Sequence, residues 1–415
     1  MKVVQSKLGN AVYRCRVYGT CLAALASPLP SLAAPSADNP VDLYFSDQYS
    51  YDDNLFRVPD ALLQSAIASP TVKSLDDYVN RASVGLQLRL DAARQVFELG
   101  LRMDDVRYAK NDDLNYRGGS GELAWDWKLA SHWSGSVHGR YDRGLASFSN
   151  YQFFAKDVVE TASYGGEVRY AIGSRWAVLG GASFVDTNHS AAVRRIDEFK
   201  GETYRGGVEY RTPGGSSIGV DYRDTTAKFP VADSLPGGVP YRYDEQQEGV
   251  NAIYVYSAIT QVRLRAAYMK RDYLDPGLGD YSGAIGNLLV HWEPRTKLYF
   301  DFKAWHELTA YADAESDYYV SDGGSITPTW EPTTKITLAG VLSYENQDYV
   351  GDNVTLTPLE AGREDKVTST QVKLDYAPRD FLSFGLSYRW IERDSNRVLR
   401  DYDDSIYSAN FKVTL

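Results

Sequence analysis

The sequence has little cysteine, methionine or histidine: 2 Cys, 3 Met and 5 His among 415 residues. Both cysteines, Cys15 and Cys21, lie close to the N-terminus, so the remainder of the chain contains no disulfide or thiol chemistry. No apolar run of about 18 residues occurs beyond the N-terminal segment, which excludes a bundle of membrane helices. A net charge of -11 and a pI near 5.1 argue against a protein that binds nucleic acid through a basic surface.

The N-terminal segment has the three-part pattern of a secretory leader. Basic residues precede a stretch of small and apolar residues at positions 17–34, and small residues follow. Pro28 and Pro30 interrupt this stretch, which makes it a poor membrane anchor. The sequence therefore predicts a signal peptide at residues 1–34, cleaved after Ala33 or Ala34. Its removal takes away four basic residues and no acidic residue, so the exported chain is still more acidic.

The chain is rich in tyrosine and glycine, and apolar and polar residues alternate along it. It contains 32 Tyr and 34 Gly, together about a sixth of all residues, a composition that suits strands better than helices. Apolar residues occupy every second position at 84–91, 97–104 and 122–129, and again in the last segment. There the apolar positions are Tyr407, Ala409, Phe411, Val413 and Leu415. A period of two places one set of side chains on each face of a strand.

Tight turns recur along the whole chain. They lie roughly 36 to 46 residues apart, and a polar, usually longer connection stands about midway between each pair, as at 147–157, 190–200, 230–243 and 351–364. This spacing predicts that short and long connections alternate strictly. The eight predicted tight turns are 92–94, 130–132, 173–175, 213–215, 258–260, 294–296, 332–334 and 378–380.

Eight hairpins supply sixteen strands, and a first strand at 41–51 and a last one at 402–415 bring the number to eighteen. An even number of strands with both termini beside the short turns is typical of outer-membrane barrels. We therefore predict an all-β fold, a transmembrane antiparallel β-barrel of about 18 strands over residues 35–415. The short turns are expected in the periplasm and the longer loops outside.

A soluble β-sandwich or propeller also has alternating strands, so alternation alone does not exclude it. Two further features favour the membrane. Predicted strands of about 11 to 15 residues are long for a soluble sheet, in which about 5 or 6 residues is usual. Trp127, Trp133, Trp176, Trp292 and Trp330 all lie near a predicted short turn. Tryptophans at one level of a barrel are typical of the membrane interface.

The first predicted strand carries a family resemblance. Residues 42–59 contain Tyr-Asp-Asp-Asn-Leu-Phe-Arg at 51–57, and this segment resembles the opening strand of EpsL-type outer-membrane proteins. These are porin-like barrels associated with exopolysaccharide biosynthesis in Gram-negative bacteria. The resemblance implies export of a polysaccharide across the outer membrane, with periplasmic export-complex proteins as partners. Leu415 departs from the terminal Phe that is common in such barrels.

If apolar residues face lipid, the opposite parity faces the lumen. Arginine presents a planar charged fork that can bind sugar hydroxyls or carboxylates, and lumenal Tyr44, Tyr299 and Trp305 have faces on which sugars can stack. The alternative is that the charges pair across strands and stiffen the wall. The predicted lumenal arginines, our candidate ligand-binding residues, are Arg89, Arg102, Arg140, Arg169, Arg211, Arg223, Arg265 and Arg389. The acidic residues of the same parity are Asp91, Glu98, Asp126, Glu167, Glu209, Asp221, Asp301 and Asp375.

Enzymatic activity is not expected. The sequence has neither a Gly-x-Ser-x-Gly elbow nor a His-Glu-x-x-His zinc pair. His306 and Glu307 are neighbours, but adjacent residues on a strand point to opposite faces. The Asp52-Asp53-Asn54 cluster is a good turn sequence and fixes no full metal-ligand set. No catalytic residue, metal or cofactor is predicted.

Two smaller features remain. The glycines at 118–121 lack the lysine and helix of a phosphate loop, and are expected to relieve crowding on the barrel wall or shape its bend. Residues 61–69 have helical spacing and are expected to form a short, solvent-exposed helix in the first long loop. Three functions stay open: polysaccharide export, a general or nutrient-specific diffusion porin, and an anchor for a secretion complex. Outer-membrane lipid and lipopolysaccharide are the expected surroundings.

Overall fold

The computed structural model describes residues 40–415 without 60–61, 68, 70, 150–153, 235–241, 275–278, 314–315, 351–361 and 398–399. The predicted signal peptide and most of the predicted connection at 351–364 lie outside the described residues. Among the residues described, no helix is both long and apolar enough to cross a membrane.

Eighteen antiparallel strands form one sheet that closes on itself, because β1 pairs with both β2 and β18 and β9 pairs with β10. The predicted 18-stranded barrel is confirmed. The strands are β1 Val41–Asp52, β2 Asp77–Ala92, β3 Gln95–Tyr108, β4 Tyr116–Leu129, β5 Trp133–Leu145, β6 Val158–Ile172, β7 Trp176–His189, β8 Phe199–Arg211, β9 Ser217–Lys228, β10 Arg242–Ser257, β11 Thr260–Tyr273, β12 Tyr281–Arg295, β13 Leu298–Asp313, β14 Ser316–Thr333, β15 Ile336–Val350, β16 Glu364–Arg379, β17 Leu382–Ser395 and β18 Tyr402–Thr414.

All eight predicted tight turns join consecutive strands at one end of the barrel, here called the turn end. The other end is called the loop end. The prediction that short and long connections alternate strictly is wrong at one place. Strands β13 and β14 have 16 and 18 residues and are separated at the loop end only by positions 314–315. The polar residues that suggested a longer loop there belong to the strands themselves, because this hairpin extends past its neighbours.

The two faces of the wall differ as the alternation predicts. On β9, Val220 is 58% exposed whereas the adjacent Asp221 is only 6% exposed. The same alternation holds on β18, where Tyr407 is exposed and Ser408 is buried. The outer surface is therefore apolar, and the polar side chains crowd the inside. Strands of 12 to 18 residues exceed the roughly 9 to 11 that a bilayer crossing requires.

Aromatic side chains form two bands on the outer surface. Near the turn end, Trp133 packs on Tyr170 and Trp176 packs on Tyr210, with ring centroids 4.7 and 4.9 Å apart. Trp292 and Trp330 are exposed at the same end, in agreement with the predicted girdle. A second band toward the loop end was not predicted. It consists of exposed tyrosines: Tyr49, Tyr78, Tyr141, Tyr164, Tyr204, Tyr222, Tyr268, Tyr344 and Tyr407. Two bands mark the two membrane interfaces.

The apolar clusters of the fold lie at the loop end. The first combines the β1–β2 connection, residues 53–76 and here called L1, with the inner face of β3. Its buried members are Leu55, Phe56, Val58, Ala66, Val72, Val106, Tyr108, Leu114 and Phe148. The second cluster gathers around the loop ends of β9 to β14, with Phe229, Tyr243, Met269 and Tyr273. Apolar side chains thus occupy part of the loop-end opening.

The predicted helix in L1 is present as α1, Leu63–Ile67. Its expected solvent exposure is only half right, because Ile67 is 57% exposed while Ala66 is buried in the first cluster. A second short helix, α2, spans Pro230–Asp233, and 3₁₀ turns span Asp112–Leu114 and Ala192–Asp197. None of these elements is long enough to affect the barrel architecture.

Replacing Gly85 by Ala is expected to destabilise the barrel by about 1 to 3 kcal/mol. Gly85 lies opposite Tyr44 in the β1–β2 pair, and a Cβ at this position would come within 2.2 to 2.4 Å of the Tyr44 ring. Denaturant titration of the folded barrel measures the change. The matched control is Gly144→Ala on β5, where a Cβ would meet nothing within 4 Å. Equal stabilities of the two variants would contradict the assigned role of Gly85.

Candidate functional site

The lumen is the candidate site, and strand parity places all eight predicted arginines on its wall. Arg223 follows the buried Asp221 at a spacing of two on β9, and Arg265 lies at the same parity as the buried Ala267 and Met269 on β11. Their outward neighbours, such as Tyr222 and Leu264, are exposed. Alternation alone was sufficient to find this face.

Seven of the eight arginines are ion-paired with lumenal carboxylates, which lie two residues away on the same strand or on a strand one or two places away. The binding role predicted for these arginines stays a prediction. The pairs are Arg89 with Glu98 at 2.5 Å, Arg102 with Asp104 at 3.1 Å, Arg140 with Glu122 at 2.9 Å, Arg169 and Arg211 with Glu209 at 2.9 and 3.1 Å, and Arg223 and Arg265 with Asp221, both at 2.9 Å.

Arg389 differs from the other seven. It lies on the inner face of β17 opposite Ile406, and makes no hydrogen bond or ion pair with any residue that the structure describes. Arg81, on the inner face of β2, was not selected from the sequence and is likewise without such a partner among the described residues. The guanidinium groups of Arg81 and Arg389 are therefore without an ion pair among the described residues.

Asp221 is the centre of the largest charged cluster on the wall. Its carboxylate accepts hydrogen bonds from Arg205, Arg223 and Arg265 at 3.0, 2.9 and 2.9 Å, and a further one from the Asn251 amide at 2.5 Å. Arg205 also pairs with Glu167 at 2.8 Å. Arg205 was missed in the sequence, although it has the same parity as Glu209. A contact shared by four strands is visible only when the strands are paired.

The charge of the wall is unevenly distributed. Along β6 to β11 arginines outnumber carboxylates on the inner face, because Arg205, Arg223 and Arg265 share Asp221 and Arg169 and Arg211 share Glu209. Along β13 to β15 the inner face carries Asp301, Glu307 and Glu345 with a single lysine, Lys303. The lumen thus has a basic wall beside an acidic wall.

The predicted lumenal aromatics are engaged with the wall itself. Tyr44 is buried beneath the Lys412 ammonium, which lies 4.2 Å from the ring centroid, so the expectation that Tyr44 stacks on a sugar is wrong. The Trp305 indole N–H donates to Ser321 Oγ at 2.8 Å. Tyr299 lies against the His291 imidazole, with centroids 5.8 Å apart.

The segment at 51–57 anchors L1 to the wall. Arg57 pairs with Asp52 at 3.1 Å and with Asp404 of β18 at 3.0 Å. Asn54 donates to the Asp403 carbonyl at 2.8 Å and accepts from the Val58 N–H at 2.9 Å. The carboxylates of Asp52, Asp53 and Asp404 approach one another within 4.8 Å, and the Arg57 guanidinium supplies their counter-charge.

Two loops extend over the loop-end opening. Phe56 of L1 packs against Phe148 and Phe154 of the β5–β6 connection, residues 146–157 and here called L3, with centroids 4.8 and 5.7 Å apart. From β17, Arg393 donates to the Ser149 carbonyl of L3, although six strand steps separate β17 from β5 around the barrel. Ser149, in the described part of L3, therefore lies inward over the lumen.

The base of L1 is held by a charged contact outside the membrane-spanning part of the strands. Lys110 donates to Asp76 at 2.6 Å, and this hydrogen bond, with one from Ser74, lowers the pKa of Asp76 to about 2. Asp76 therefore stays ionised down to a pH well below 4, which is near the ordinary pKa of an aspartate. Its contact with Lys110 stays intact over the same range of pH.

Three histidines pair with carboxylates in separate parts of the barrel. His189 contacts Asp157 at the loop end at 2.7 Å, and His291 contacts Asp301 in the lumen at 2.8 Å. His306 contacts Asp322 at 2.6 Å, while its neighbour Glu307 points to the other face and accepts from Asn287. The opposite directions of His306 and Glu307 agree with the prediction.

Comparison with known proteins gives a family match for part of the chain. A model described as "Putative beta-barrel porin 2" matches residues 254–415, about two fifths of the length. No curated protein matches the sequence.

Solved structures with a similar arrangement are barrels too. A BenF-like porin from Pseudomonas fluorescens Pf-5 is 10% identical, with a TM-score of 0.48 over 91% of this chain and 98% of the porin. OccK7 (OpdD) from Pseudomonas aeruginosa is 11% identical, with a TM-score of 0.46 over 92% and 99%. The siderophore receptor PirA from Acinetobacter baumannii is 8% identical, with a TM-score of 0.42 over 93% and 81%. Likeness at this level says nothing about the solute. The closed barrel with its apolar outer face, together with the family match, supports a porin-like outer-membrane barrel.

Proposed function

We propose that the protein is a passive diffusion channel for small polar solutes across the outer membrane. The observation that carries this proposal is the charged inner wall of a closed barrel, in which arginines and carboxylates are paired in rows. Such a charged wall stays hydrated, which favours the passage of polar solutes. An eighteen-stranded barrel is wide enough for an aqueous path. The description of the matching family, a porin, supports the same function.

The size of the solute is limited by the loop end. The apolar cluster of L1 and the inward reach of L3 take up part of the opening. We therefore propose solutes of about the size of a monosaccharide or an organic acid rather than a polymer. The two unpaired guanidinium groups of Arg81 and Arg389 give an anionic solute a transient partner.

Export of an exopolysaccharide is the second candidate. Its support is the resemblance of residues 51–57 to EpsL-type proteins. In the structure this segment holds L1 against β18 through Asn54 and Arg57. This structural role is compatible with a channel for any class of solute. The periplasmic export partners implied by the resemblance belong to this second candidate.

The purified barrel is expected to produce stepwise conductance in a planar bilayer and to admit monosaccharides in a liposome-swelling assay. Oligosaccharides of increasing length should be progressively excluded. Deleting the gene separates the two candidates when surface and periplasmic polysaccharide are measured in parallel. Unchanged polymer in both fractions agrees with a diffusion channel. Polymer that accumulates in the periplasm, or a barrel without conductance, would reject the proposal in favour of export or of an anchoring role.

A further inference from the structure

The outer face beyond the second aromatic band carries an arginine patch on β3 to β5. The patch consists of Arg107, Arg117 and Arg143, each outward by parity with exposed neighbours such as Met103 and Tyr141. The side chain of Arg117 is 88% exposed, and those of the other two arginines are about half exposed. All three lie within a few residues of the loop end of their strands.

The patch is only partly neutralised by its own carboxylates. Asp105 lies 2.8 Å from Arg107 and 3.9 Å from Arg117, and Glu160 lies 3.3 Å from Arg143. The outer face of β15 to β18 has the opposite character at the same height. It carries Asp348, Glu364, Glu392, Asp394 and Asp403 against one lysine, Lys366. The arginine patch therefore differs in the sign of its charge from the outer face of β15 to β18.

An apolar groove runs from this patch toward the bilayer centre. Its floor is β4, where Gly119 and Gly121 face outward between Leu101 and Met103 of β3 and Tyr141 of β5. At Gly119 any side chain is excluded, because φ is +153° and a Cβ would lie 2.2 Å from the Arg102 carbonyl oxygen. The outer surface of the wall is therefore recessed next to the three arginines, on the side toward the bilayer centre.

We propose that this surface binds lipopolysaccharide, with a phosphate held by Arg107, Arg117 and Arg143 and an acyl chain in the groove over Gly119 and Gly121. Guanidinium groups bind phosphate through paired, charge-assisted hydrogen bonds. In outer-membrane barrels the longer loops face outward, which places the patch in the outer leaflet at the level of lipid phosphates. The order of the parts, charge above and apolar groove below, matches a phosphorylated glycolipid. The inference is independent of the solute that passes through the lumen.

The triple variant Arg107→Gln, Arg117→Gln, Arg143→Gln tests the phosphate contact. Purified full-length barrel in detergent is titrated with lipopolysaccharide, and binding is followed by native mass spectrometry. We expect the affinity to fall at least about tenfold, the effect of losing one strong charged hydrogen bond. The matched control is Lys200→Gln, Lys228→Gln, Lys270→Gln, which removes three positive charges from the outer face of β8, β9 and β11. Equal losses in both variants, or none in either, would overturn the proposal.

Two further measurements identify the ligand. Lipopolysaccharide stripped of its phosphates should bind the wild-type barrel as weakly as the intact lipid binds the triple Gln variant. Equal binding of stripped and intact lipid, or of phosphatidylglycerol and lipopolysaccharide, would reject the assignment. At Gly121 a Cβ would meet only Leu101, at 3.5 Å, so the backbone has room for a side chain there and Gly121→Leu fills the groove. It should weaken lipid binding at unchanged barrel stability, whereas Gly180→Leu on the outer face of β7 should not. Equal binding by these two variants would remove the groove from the site.

Discussion

Replacing Asp221 by Asn is expected to destabilise the barrel by about 3 kcal/mol and to shift its ion selectivity toward anions. The carboxylate is buried and is shared by Arg205, Arg223 and Arg265, so its loss leaves like charges facing one another without a counter-charge. Glu167 still balances Arg205, but Arg223 and Arg265 have no second carboxylate among the ion pairs of the described residues. Denaturant titration measures the stability, and the reversal potential across a salt gradient measures the selectivity.

The control for Asp221→Asn is Glu122→Gln. It also removes one negative charge from the inner wall, but the pair of Glu122 with Arg140 is more than half exposed on both sides. A solvated pair contributes about 0 to 1 kcal/mol, so this variant should remain near wild-type stability. Both variants should favour anions if both residues border the conducting path. Equal stability losses would show that the shared position of Asp221 has no special energetic role.

Replacing Phe56 by Ala is expected to release L1 and to raise the single-channel conductance. Phe56 is 1% exposed and packs against Phe148 and Phe154, so truncation leaves a cavity at the junction of L1 and L3. Such a cavity costs about 3 to 5 kcal/mol in a packed site. The loss lowers the free energy needed to detach L1 from L3, and not the stability of the barrel wall, because the hydrogen bonds of the wall are unchanged. Limited proteolysis of the folded barrel should then cut within residues 53–76.

Ile67→Ala in the same loop is the matched control, because Ile67 is exposed and its truncation removes little packing. Phe148→Ala should reproduce the effect from the L3 side. The double variant should cost less than the sum of the two, since both side chains belong to one cluster. A Phe56→Ala barrel that is cut by protease yet conducts as the wild type would show that L1 does not narrow the path. Resistance to protease would show that Phe56 does not hold the loop.

These two variants separate the parts of the proposed channel. Asp221 belongs to the wall, where it stabilises the barrel and balances the charge of nearby arginines. Phe56 belongs to the loops, which control the entry of solutes into the lumen. The segment at 51–57 links the two, because Leu55 and Phe56 enter the apolar cluster while Asn54 and Arg57 attach to β18.

Much of the fold was predictable because its signals are local. The alternation at 407–415 depends only on neighbouring residues, and turns such as 173–175 are marked by their own glycine and polar residues. These signals gave the number of strands, the tight turns and the face on which each lumenal arginine lies. The hairpin of β13 and β14 was misjudged, because polar residues at the end of a long strand look like a loop in the sequence.

The amino-acid sequence by itself determined the closed architecture, since a period of two and regular turns leave few ways to arrange so many strands. It also determined which side chains are lumenal. Only the tertiary structure decided their partners: that Arg205, Arg223 and Arg265 meet at Asp221, that Arg389 is left without a partner among the described residues, and that L1 and L3 meet over the opening. These contacts join residues of distant strands and loops, and their geometry depends on the register and stagger of the whole barrel, which no local pattern encodes.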